Sequence, residues 1–179
     1  MHSSTLRHSI EWRWALTTAA AFALTIAAHE FAHIAVRLAA RPITPAYRSL
    51  ASLAGPVASL MIVAMSVLWM ARREQSSRAS RWAIALGLTA AVRVFMVWLL
   101  AGPWLLGLWP RVTFDERRVA AGLGVSVVAM LTVETVLAVA GTAWLIRRIP
   151  SGERREALLG ISGVIALVGI VALLLNPRV

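Results

Sequence analysis

The chain has 179 residues, 59% of them hydrophobic and 15% charged, with a mean hydropathy of +0.75; a soluble domain carries about 25% charged residues, so this composition sets the chain in a lipid bilayer. A formal net charge of +10 would point to nucleic acid in a soluble protein, but here the positives punctuate apolar runs as interfacial and loop charges, and no nucleic-acid partner is expected. All 18 basic residues are Arg and Cys is absent, which excludes disulfides and thiolate metal sites and leaves His and carboxylates as ligands for any metal.

In chain order, residues 1–13 are polar, with His2 and His8 among them, and are expected to form a loose tail whose two imidazoles sit at the surface. The apolar run over 14–39 follows. A signal-peptide core is about 7 to 15 residues long, so this longer run is expected to be a retained helix. It contains His29-Glu30-Phe31-Ala32-His33. Two imidazoles four residues apart share one helix face, the separation at which both rings can hold a single metal ion. Glu30 points about 100° away from His29, where it can stand beside a metal without ligating it and take a proton from water. An ionisable group in a hydrocarbon-length helix is expensive and is read as functional.

Further spans of bilayer length, about 20 apolar residues each, are expected at 50–71, 82–101, 119–146 and 157–175, with arginine clusters marking the turns between them. Linkers this short make neighbouring helices antiparallel, so residues 1–179 are expected to form one all-α polytopic membrane bundle of about five transmembrane helices. Loops on the N-terminal side carry ten Arg and the opposite side seven, a bias that favours a cytoplasmic N-terminus.

The second span opens with Leu53-Ala54-Gly55-Pro56-Val57-Ala58-Ser59. Ala51, Gly55 and Ser59 form a small-residue stripe that lets another backbone approach closely. Pro56 cannot donate to the Ser52 carbonyl, so a kink or a free acceptor is expected there. A membrane-embedded HExxH followed one helix later by Gly-Pro-x-x-Ser resembles the site-2 protease family of intramembrane zinc metalloproteases. The match lies at His29, Glu30, His33, Gly55, Pro56 and Ser59. In that family a later acidic residue, usually in an Asp-Gly segment, completes the zinc site. This chain has no Asp-Gly.

Asp115, the only Asp, is the first choice for that third ligand, with Glu116 and Glu134 as alternatives. Thr113 and Glu116 also have the spacing of a capping box, which would start a helix at this point. His29 lies about 16 Å below the membrane face on which Asp115 begins its helix, so Asp115 must dip to reach it. The break expected at Gly102-Pro103 and the apolar residues after it suit a re-entrant segment. Arg93 and Glu134 fall at matched depth on adjacent helices and are expected to form a buried ion pair.

The resemblance implies Zn²⁺ held by His29, His33 and Asp115, Glu30 as general base, and a membrane-protein substrate. It points to a multi-pass integral protein of a bacterial inner membrane. Two other functions fit the residues, a non-catalytic metal-binding membrane protein and a metal or proton transport bundle. The sequence leaves the oligomeric state open.

Overall fold

The structure, a computed structural model, describes residues 2–39, 45–72, 78–108 and 113–175, with side chains described over 12–39, 51–72, 78–108, 113–167 and at 170. Among them are six helices and no strand: α1 His2–Ala39, α2 Pro45–Ala71, α3 Arg78–Leu105, α4 Asp115–Leu123, α5 Val127–Arg148 and α6 Arg154–Leu175. Four of these, over Trp12–Ala39, Ala51–Ala71, Arg78–Leu105 and Val127–Arg148, are long and apolar enough to cross a bilayer. The protein is an all-α membrane helix bundle. α6 occupies the stretch of the fifth expected span.

Three boundaries depart from the sequence expectation. The polar start is helical from His2 onward, not loose, because no Gly or Pro interrupts residues 2–39 and an established helix extends at little cost. α3 runs through Gly102-Pro103 to Leu105 in place of breaking there. Pro103 removes one donor only two residues before the end, and Gly107, in the left-handed region at φ 73, then closes the helix. The Gly107 N–H reaches the Trp104 carbonyl at 3.0 Å and the Leu108 N–H reaches that of Pro103 at 2.9 Å, the paired bonds of a Schellman end. The expected span at 119–146 is two helices. Gly124, left-handed at φ 67, ends α4, and Ser126 caps α5 by accepting from the Ala129 N–H. Pro56 lies inside α2, which continues past it to Ala71.

α3 is the most buried of the four apolar helices and carries the core along its length. At one end Ala83, Ile84 and Leu88 pack with Trp14, Met70, Leu145, Ile149, Ala157 and Ile161. Midway, Ala90, Ala91 and Val94 meet Val63 and Ala138. At the other end Val97 and Ala101 meet Phe114 and Leu131. In lipid the driving force between helices is close packing, not removal of apolar surface from water, which is why so many of these positions are Ala. Gly87 shows how tight the crossing is: an added Cβ there would stand 2.5 Å from Leu145 Cδ1 and 2.8 Å from Ser66 Cβ.

α1 buries a single stripe, Trp14, Thr18, Ala21, Thr25, His29 and His33, at steps of three or four residues, while Leu16, Leu24, Phe31, Ile34 and Leu38 face outward. Steps of that size fall on one helix face. Trp14 fixes one end of the stripe, fully buried and donating its indole N–H to Glu153 Oε2 at 3.1 Å. The two histidines occupy the other end.

Candidate metal centre

The small stripe of α2 is the seat of both imidazoles. His33 Nδ1 hydrogen-bonds the backbone carbonyl of Ala51. His29 Nδ1 meets Ser59 Oγ at 3.2 Å, and Ser59 gives its own proton to the Gly55 carbonyl at 3.2 Å. A Cβ on Gly55 would collide with the Nε2 edges of both rings. The Gly55 position is therefore set by the approach of the two side chains, and the stripe serves the site as well as helix packing.

These partners fix the proton on each ring. A carbonyl can only accept, so the His33 Nδ1 carries the hydrogen; the Ser59 hydroxyl proton is engaged, so the His29 Nδ1 carries one too. In the neutral rings both Nε2 atoms then present lone pairs. The two Nε2 atoms face each other at 3.1 Å, and Asp115 Oδ2 stands 3.1 Å from His33 Nε2 and 3.5 Å from His29 Nε2. Three acceptors converge with no proton between them, an arrangement that a cation stabilises. Ligand atoms around a tetrahedral metal with bonds of about 2.0 to 2.1 Å stand about 3.3 to 3.4 Å apart, close to the observed separations. The Ala51 carbonyl and Ser59 Oγ, which the two Nδ1 atoms meet, are outer partners of the kind that orient metal-ligating histidines. His29, His33 and Asp115 are thus a group able to hold a metal ion.

Asp115 reaches that depth because Phe114 is buried beside it. Phe114 packs among Val97, Ala101 and Leu131, with its ring edge-on to Trp104 at 5.8 Å. Anchoring this residue draws the first turn of α4 into the bundle. Asp115 and Glu116 sit in that turn, where the positive end of the helix dipole favours acids.

Arg93 ties the same turn to α3. Its guanidinium donates to Glu116 Oε1 at 2.8 Å and to Asp115 Oδ2 at 3.5 Å. The expected pair with Glu134 is absent among the described residues. Ending α4 at Gly124 brings two acids at its start within reach of Arg93, and the nearer carboxylates take the cation. Glu134 is buried, with Oε2 unpartnered. The capping box is absent as well: Phe114 is the N-cap residue without a side-chain bond, Glu116 is committed to Arg93, and Thr113 Oγ1 accepts from Arg118 at 3.4 Å.

Glu30 lies on the neighbouring face of α1 and is exposed. The structure thus brings together His29, His33 and Asp115, and leaves Glu116 and Glu134 out of the group. Sequence reasoning does not find Arg93 as the partner of Asp115 or the Ala51 carbonyl as the partner of His33; the first has a signal in the Gly-x-Ser of Gly124 to Ser126, and a backbone acceptor has none. His2 and His8 have side chains outside the described residues, as do Trp109 and Arg111 entirely. Comparison with protein-family models, curated proteins and solved structures finds no match.

Proposed function

We propose that this chain is a zinc-dependent intramembrane endopeptidase that hydrolyses peptide bonds of membrane-protein substrates. The observation that supports it most is the convergence of His29 Nε2, His33 Nε2 and Asp115 Oδ2 with both Nδ1 atoms engaged behind them. The resemblance to site-2 proteases in the first two spans supplies the chemistry, and a multi-pass setting in a bacterial inner membrane is part of the same proposal.

His29, His33 and Asp115 would hold the ion, and Arg93 would keep Asp115 in place. When bound, Zn²⁺ supplies Lewis acidity that polarises a scissile carbonyl and makes water acidic near neutral pH. Glu30 is the general base. It accepts a proton as water adds to the carbonyl carbon, and it returns that proton to the leaving nitrogen as the C–N bond breaks. The products are a carboxylate and an amine. Being exposed on α1, Glu30 is open to a substrate strand approaching from the bilayer side, where a helical substrate must first unwind to present a peptide bond.

The test is purified protein with a panel of transmembrane-helix reporters. Wild type is expected to hold about one zinc and cleave a reporter, whereas Glu30→Gln keeps the metal and loses cleavage by at least about 10²-fold, the lower limit for a general base. Zinc-dependent cleavage that survives in Glu30→Gln would falsify this mechanism. A protein that binds zinc yet cleaves nothing would favour the non-catalytic metal-binding alternative.

A further inference from the structure

We infer that the face of the bundle opposite the metal-binding end carries a site for the phosphate headgroup of an anionic phospholipid, formed by Arg13, Arg78 and Arg81. A cavity of about 440 Å³ opens between the start of the apolar part of α1 and the start of α3, lined by Arg13, Leu16 and Thr17 on one side and Arg78, Arg81 and Trp82 on the other. α2 returns between these two helices, so both begin at the same face. Arg13 ends the polar stretch before the apolar run over 14–39, and Arg78 and Arg81 directly precede the apolar run that starts at Trp82, which puts the cavity at headgroup depth.

Three guanidiniums directed at one cavity repel each other, and among the described residues no carboxylate answers them. Two other arginines of this face have internal partners. Arg148 stacks on Trp144 at 4.6 Å, and Arg154 donates to the Arg147 and Ile149 carbonyls. Glu153 accepts from the Trp14 indole. Among the described residues the pocket therefore has no counter-anion of its own. Arginine forks match phosphate oxygens in a paired, planar geometry, and the Thr17 hydroxyl beside them is one more polar lining group. Basic pockets between transmembrane helices are where lipid headgroups bind.

A lipid is favoured over a free anion by what surrounds the arginines. Trp82 lines the cavity, Leu16 is 65% exposed at its edge, and Leu16 also borders an apolar groove of about 480 Å³ between α1 and α6, where Ala15, Ala19, Gly160 and Gly163 leave a smooth channel. A headgroup held by the arginines thus has apolar surface leading down from it for an acyl chain.

The experiment uses the full chain in nanodiscs of phosphatidylcholine, with or without dioleoyl phosphatidylglycerol, reading lipid retained on gentle extraction by native mass spectrometry and affinity by Trp fluorescence. Retention of phosphatidylglycerol by wild type is expected. The double variant Arg13→Gln/Arg81→Gln should bind it about 100-fold more weakly, about tenfold for each guanidinium removed from the phosphate. Arg78→Gln, at an exposed first-turn position, should weaken binding about tenfold by itself and does not disturb the core. Arg155→Gln, exposed on the same face but outside the cavity, should match wild type. Equal weakening in Arg155→Gln would show a diffuse surface charge and overturn the site. Wild-type affinity in the double variant would overturn it too, as would inorganic phosphate binding as well as the lipid does at equal concentration.

Discussion

Replacing Gly55 by Ala puts one methyl group into the contact between α2 and both imidazoles. The added Cβ would lie inside 3.0 Å of His29 Cε1, His29 Nε2 and His33 Nε2, closer than real Cβ atoms come to any neighbour. Carbon contacts settle at about 3.5 to 4.0 Å, so the rings must retreat by at least about 0.5 Å. Both rings are pinned from behind, by the Ala51 carbonyl and by Ser59, and metal–ligand distances tolerate only about 0.2 Å. Zinc affinity is expected to fall by about 100-fold or more, at or beyond the upper end of what removal of an outer partner does. Overpacking should also lower stability by about 1 to 3 kcal/mol, of which the better helix propensity of Ala returns up to about 1. The assay is zinc content after dialysis together with chelator competition, with helicity followed by circular dichroism. Gly163→Ala is the matched control, since a Cβ there meets open space. Wild-type zinc affinity in Gly55→Ala would refute the geometry derived for this site.

Two further substitutions separate the acids around Arg93. Asp115→Asn should empty the site on the same dialysis, and Glu134→Gln should keep its zinc; metal loss in the Glu134 variant alone would remove Asp115 from the ligand set. Arg93→Ala leaves Glu116, which is fully buried, without its countercharge. The cost of stripping one partner from a buried pair is about 3 to 5 kcal/mol, taken near 3 because Arg93 is partly exposed, and it should appear as a lower melting temperature in detergent. Arg93→Lys should recover part of that loss, and a melting temperature unchanged in Arg93→Ala would show that the pair carries no structural weight.

Much of this protein is legible in its sequence because the bilayer imposes strong local rules. Apolar runs of spanning length fix the fold class, since a lipid-exposed backbone must satisfy its hydrogen bonds within each segment. The four-residue spacing of His29 and His33 fixes a shared face, and Ala51, Gly55 and Ser59 fix the surface it meets. Asp115 is marked by being the only Asp in the chain. What the local rules do not decide is how one span divides and which charges then meet. The left-handed Gly124 splits the expected fourth span, and burial of Phe114 draws the first turn of α4 inward. Depth counting on an unbroken helix pairs Arg93 with Glu134, but the short helix brings Asp115 and Glu116 to it first. Ion pairing depends on a few ångströms between separate helices, and helical periodicity carries no information about that distance. Sequence therefore determined the two histidines, their face and the small seat beneath them. Tertiary structure alone decided how Asp115 reaches them and which arginine holds it there.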